Sequence, residues 1–180
     1  MNSIVRKKVG IIFRLSQFIP QSILLLIYKT FIQPHITYGL EVWGSTYRSH
    51  LTCILTSQKM AARAITSSDR TVGSNQLFNQ SHILNIFNQH KLQICTFMYD
   101  LLNGNLPHHF TQYCSFPTHY YNTRYKIKGN ISIPRINTEI GKFTMSYTGA
   151  IHWNNLPLDV RSKSSRNVFR NSLKDFLHLI

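Results

Sequence analysis

Apolar positions recur at three- and four-residue steps over most of this chain, the spacing that gathers side chains on one face of a helix. Val5, Val9, Ile12 and Phe13 do so within residues 3–18, and Pro20 stands at the next helix start, ahead of the run SILLLIYKTF. Pro34 has no N–H to donate, so a kink or restart is expected there, with ITYGLEVWG (36–44) as the continuation and its aromatics packed at a helix end. Ser49 is placed to cap a long amphipathic helix whose inner face is Leu51, Ile54, Leu55, Gln58, Ala62 and Ile65. Residues 71–81 are polar and read as a loop. A further helix is expected over 88–103, with Leu92, Cys95, Tyr99 and Leu102 on one face and Gly104 as its C-cap.

Past Pro107 the period changes. RYKIKGNISIPRI alternates Ile127, Ile131 and Ile133 with polar or basic positions around a Gly129-Asn130 turn, which predicts a small β-hairpin over 124–136, with a further strand at 142–148. The chain closes with a helix that carries Phe169, Leu173, Phe176, Leu177 and Ile180 on one side and Arg166, Arg170 and Lys174 as a ridge on the other. The expected fold is therefore mainly α: a helical region at 1–114, then a C-terminal region at 115–180 with short strands and a terminal helix, α+β taken together.

Charge changes the picture more than composition does. Twenty Lys and Arg stand against six Asp and Glu, a net charge of +14, and a field of that sign attracts polyanions. Nine of the cations lie in residues 1–70, one in 71–120 and ten in 121–180, so two basic ends flank a nearly neutral middle. Three clusters stand out: Arg6, Lys7 and Lys8; Lys59, Arg63 and Arg70; Arg124, Lys126 and Lys128. These are the candidate phosphate contacts, with Tyr120, Tyr121 and Tyr125 near enough in sequence to the third to stack on bases or sugars. Each cluster alone also has a structural reading, since exposed cations are ordinary and alternating ones protect an edge strand. The argument for binding rests on the summed imbalance.

Other chemistry finds little support. Asp69, Asp100, Asp159, Asp175, Glu41 and Glu139 are scattered, whereas two-metal phosphoryl transfer needs carboxylates gathered around closely spaced cations. His108, His109, Cys114 and His119 are the densest set of potential ligands, but their irregular spacing fits exposed or packing side chains better than zinc. No nucleophile elbow or phosphate-cradling glycine loop is present. No catalytic residue, metal or cofactor is assigned. Cys53, Cys95 and Cys114 imply no disulfide framework and fit a reducing compartment. The longest apolar run, Ile23 to Tyr28, falls far short of the roughly 20 residues of a membrane helix, so the chain reads as soluble, nuclear or cytoplasmic, and not secreted. Trp43 and Trp153, each among small or apolar neighbours, read as core residues.

The order LLIYKTFIQPHITYGLEVWGSTYRSHL, QKMAARAIT, YNTR, IPRINTEIGKFTMSYTGAIHWNNLP and VFRNSLKDFL resembles the C-terminal portion of reverse transcriptases from jockey-like and LINE-type non-LTR retrotransposons. The matching positions are Ile27, Tyr28, Pro34, Tyr38, Gly39, Trp43 and Gly44, then Gln58, Lys59 and Arg63, then Trp153, Asn154, Leu156 and Pro157, and finally Phe169, Leu173 and Lys174. Ile27 stands where the family has Leu. The Tyr/Phe-x-Asp-Asp signature of the palm is absent, so no catalytic residue carries over. The resemblance implies a truncated enzyme that begins after the active site, with thumb-like helices and a C-terminal tail. In that setting ITYGLEVWG is a hinge held by Tyr38 and Trp43. The implied partners are RNA or an RNA/DNA hybrid and the missing palm, with no role for a membrane. The alternative is a protein-interaction module, or an inert relic that self-associates through helix faces the palm would have covered.

Overall fold

A computed structural model describes residues 2–113 and 129–179. The described residues are mainly helical, and the chain divides into two compact units, Met1–His90 and Lys91–Ile180.

In the first unit α1 (Asn2–Leu15) buries Val5, Val9 and Ile12, a stripe of steps four and three. Phe13, expected on that stripe, is 64% exposed, because one further residue rotates it off the buried face. Pro20 precedes α2 (Gln21–Ile27), where its missing N–H costs nothing. Pro34 produces the expected interruption in a specific form. The helix widens into a π turn, Tyr28–Ile32, in which the Gln33 N–H bonds to the Tyr28 carbonyl, and α3 (Gln33–Thr37) restarts with Pro34 in its first turn. Gly39, at φ +62°, makes the left-handed link to α4 (Leu40–Trp43).

α5 (Arg48–Thr66) is the long helix expected from the pattern, with Leu51, Ile54, Gln58, Ala61, Ala62 and Ile65 buried. It starts one residue before Ser49, which sits in the first turn and does not cap it. The expected loop at 71–81 is instead largely helical: α6 (Ser74–Ser81) buries Leu77, Phe78 and Ser81 and packs on α5. Its Ser and Asn residues have weak intrinsic preference for a helix, and burial of these few side chains decides the outcome. α1, α2 and α6 all pack against α5, which is the spine of the unit.

α7 (Ile86–Leu102) begins in the first unit and continues into the second, where it buries Leu92, Ile94, Cys95, Met98, Tyr99 and Leu101. Gly104, at φ +70°, ends it as expected, and the Asn105 N–H returns to the Asp100 carbonyl at 2.9 Å. A 3-10 turn follows at His108–Tyr113. After a second 3-10 turn, Gly141–Phe143, come α8 (Met145–Asn154), α9 (Leu158–Arg161) and α10 (Arg166–Leu179). Tyr99 stacks on Phe169 with ring centroids 4.5 Å apart, and Trp153 lies tilted against Phe169 at 5.9 Å. These rings, with Leu173 and Leu177, form the core of the second unit.

The expected strands are not found among the described residues. Residues 124–128 lie outside the described residues, and 129–136 form no strand. The buried Ile131 has the hydrogen bonds that a neighbouring strand would supply, but they come from a side chain: its N–H donates to Asn154 Oδ1 and its carbonyl accepts from Asn154 Nδ2, each at 2.9 Å. Residues 142–148 close a 3-10 turn and start α8, because Gly149, Ala150 and Trp153 continue a helical buried face. Among the described residues there is no strand, so the described part is mainly α, without the β portion expected of an α+β fold. Among them, too, no helix is long and apolar enough to cross a membrane.

Candidate nucleic-acid interface

The sequence-predicted cations fare differently. Arg6 and Lys7 are exposed on α1. Lys8 is committed to structure: its Nζ donates to the Phe31 carbonyl at 3.0 Å and to His35 Nε2, and lies 4.7 Å from the centre of the Phe31 ring. It ties α1 to the π turn. Lys59 and Arg63 sit one turn apart on α5, each half-buried, and Arg70 is exposed in the turn beyond that helix. Arg124, Lys126 and Lys128, like Tyr120, Tyr121 and Tyr125, lie outside the described residues.

Arg63 and Arg70 are brought to one cavity by the way α5 ends. Ser67, at φ +50°, takes the left-handed conformation of a helix cap, and the N–H groups of Ser67 and Ser68 both bond to the Arg63 carbonyl. The chain then turns back on itself. A cavity of about 510 Å³, open to solvent, lies where this turn meets the end of α1. Phe13 and Ser16 line it from α1, Met60, Arg63 and Ala64 from α5, and residues 67–70 from the turn.

Its electrostatics are unusual for so small a space. Arg63, Asp69 and Arg70 all face the cavity, yet among the described residues ion pairs join only Lys142 to Glu139 and Arg166 to Asp100. Arg63 Nε is buried and has no hydrogen-bond partner. A buried donor without an acceptor is disfavoured by roughly 1–3 kcal/mol, and because Nε has no accessible surface a ligand in the cavity would meet Arg63 through its other atoms. Phe13 and Met60, 64% and 51% exposed, provide the apolar wall. Neither was identified from the sequence as a site residue. The signal available was only that Phe13 falls off the 5, 9, 12 stripe, and which flank of α5 it meets is a tertiary fact.

In the second unit several cations are already engaged. Arg166 Nε donates to both carboxylate oxygens of Asp100 at 2.9 and 2.8 Å, Arg161 donates to Asn130, and Lys142 pairs with Glu139. Arg170 and Lys174 remain exposed on α10. His108 and His109 are exposed, and Cys114 and His119 lie outside the described residues. Among those described, no three His, Cys, Asp or Glu side chains are grouped to hold a metal ion.

The motif ITYGLEVWG is resolved as a local clasp. Trp43 Nε1 donates to the Tyr38 carbonyl at 2.7 Å across the turn made by Gly39. Tyr38 contributes its backbone alone, for its ring is 84% exposed, so the expectation that both rings hold the turn is right for Trp43 only. Gly44 closes the motif where the His90 ring and the Leu40 carbonyl occupy the place of any Cβ.

Comparison with protein-family models, curated proteins and solved structures gives no match.

Proposed function

We propose that this chain is the post-palm part of a non-LTR-type reverse transcriptase, and that it holds nucleic acid without copying it. The resemblance supplies the family. The observation that carries the binding role is the disposition of charge on two helices packed together: Arg6, Lys7 and Arg14 exposed on α1, and Lys59, Arg63 and Arg70 along α5 and its end. None of these six cations is spent in an ion pair among the described residues. Phosphates are the natural counter-charge, and sequence-tolerant contact follows because phosphates carry no base identity.

Binding of a labelled oligonucleotide, followed by anisotropy across a salt series, tests this. Contact with about five phosphates gives a slope of log affinity on log salt near −4.5 for duplex DNA and near −3.5 for a single strand. Affinity unchanged by salt, or absent at low salt, rejects the reading. Primer extension with magnesium should yield no product.

A second reading has one observation in its favour. Phe18, Leu26, Tyr38 and Val42 are each more than half exposed in the first unit, an apolar presence suited to protein contact or self-association. A monomer by size-exclusion chromatography at micromolar concentration counts against self-association.

A further inference from the structure

The cavity beside Arg63 has the lining of a binding site for one nucleotide. We propose that it receives a single unpaired ribonucleotide of a bound strand, with its phosphate between Arg63 and Arg70, its base against Phe13 and Met60, and its 2′-hydroxyl on Asp69. The inference rests on the nucleic-acid-holding role above and gives it a sugar preference.

Size comes first. A volume of about 510 Å³ falls within the roughly 300–1,000 Å³ of small-molecule sites and is too small for a base pair and its backbone together. The aromatic wall is exposed, and a ring can stack only on a base whose face is free, which excludes a base inside a duplex.

Charge comes second. Arg63 and Arg70 both line the cavity, and no carboxylate lies within ion-pair distance of either among the described residues. A phosphate is the counter-charge that the two arginines lack, and the planar fork of arginine suits it.

Asp69 is the discriminating residue. A carboxylate in a phosphate site is unfavourable unless it has a donor of its own, because it can only accept hydrogen bonds. A ribonucleotide brings such a donor in its 2′-hydroxyl, the group that distinguishes RNA from DNA at a given position. A deoxyribonucleotide lacks that donor and leaves the exposed Asp69 beside a phosphate with water in its place.

The test uses the full chain with labelled oligouridylate and oligodeoxyuridylate, strands that differ only in the 2′-hydroxyl. The ribo strand is expected to bind about tenfold tighter, as one hydrogen bond to a charged acceptor implies. Asp69→Ala should bring the ratio to about one without weakening the deoxy strand, and Phe13→Ala should weaken the ribo strand at least about fivefold. Both side chains lie at the surface, and an unchanged thermal midpoint verifies that the variants fold. Equal binding of the two strands by the parent chain, or a ratio that survives Asp69→Ala, overturns the pocket and leaves nucleic-acid holding intact. If neither strand binds at low salt, the holding role itself has failed.

Discussion

Gln58 reaches from the middle of α5 to donate its Nε2 hydrogen to Tyr28 Oη at 3.1 Å, joining the long helix to the π turn through two side chains that are each almost fully buried. The same amide also donates to the Leu84 carbonyl at 3.4 Å, so one glutamine ties three segments of the first unit. Tyr28 and Gln58 are both positions of the reverse-transcriptase resemblance, and their contact gives each a structural reason. Replacing Gln58 by Ala strands the buried phenol and the Leu84 carbonyl, and should destabilise the unit by roughly 2–4 kcal/mol. Tyr28→Phe removes one partner of a single neutral bond and should cost about 1 kcal/mol. Urea unfolding measures both, and a Gln58 variant no less stable than the Tyr28 variant contradicts the arrangement.

Stability should fall at alkaline pH through two buried groups. Burial raises the Tyr28 phenol from 10.0 to about 12, opposed in part by the Gln58 bond, and raises the Cys95 thiol from 9.0 to about 12, opposed in part by Lys91. In both cases the folded state keeps the proton that the unfolded chain releases. Their contribution is complete below pH 9 and is lost as pH rises from there through about 12, on the order of 3 kcal/mol for Tyr28 and roughly 4 kcal/mol for Cys95. Urea midpoints at pH 8, 10 and 11 should decline, and Cys95→Val should flatten the early part of that decline. A midpoint constant to pH 11 contradicts the burial of both.

Gly44 has no room to change. The His90 ring and the Leu40 carbonyl stand where a Cβ would go, and the carbonyl is backbone that cannot rotate away. Gly44→Ala is expected to cost about 1–3 kcal/mol through overpacking, read as a lowered thermal midpoint. Gly10→Ala, with open space around its Cβ position in the middle of α1, should instead stabilise by roughly 0.5–1 kcal/mol. The two substitutions are the same in chemistry and opposite in sign, which separates close packing from composition.

Asn154 acts as a one-residue substitute for a strand. Its amide satisfies both backbone groups of the buried Ile131, while its neighbour Trp153 enters the core. Asn154→Ala should cost on the order of 2–3 kcal/mol, and Asn154→Asp, which keeps the acceptor but loses the donor, should also destabilise, as differential scanning calorimetry would show. Indifference to either change would mean that Ile131 finds other partners.

These residues also mark where local patterns end. The stripe at Val5, Val9 and Ile12, the break at Pro34 and the glycine stop at Gly104 were legible because each depends on neighbours within a few positions. α6 was not, since Leu77 and Phe78 favour a helix only by having α5 to cover. The hairpin failed for a related reason. Ile131 and Ile133 do alternate, but the partner of Ile131 is a side chain 23 residues away, and Ile133 stays 42% exposed. Of the candidate interface, net charge revealed Lys59, Arg63 and Arg70, whereas Phe13, Met60 and Asp69 depended on how α1 and the end of α5 meet.

Lys8 and Lys59 provide the closing test, because the sequence treats them alike and the structure does not. Lys8 has its amine bonded to the Phe31 carbonyl and the His35 ring, while Lys59 has no ion-pair partner among the described residues. A lysine that neutralises a phosphate releases a counterion, so its removal lowers the salt slope by about 0.9 on duplex DNA or about 0.7 on a single strand. Lys59→Ala and Arg63→Ala should each show that decrement with little loss of stability. Lys8→Met should leave the slope unchanged and lower the thermal midpoint, since it unfastens α1 from the π turn. Were the Lys8 variant to lose slope and the Lys59 variant to keep it, the contact surface would have to lie on the other flank of α1.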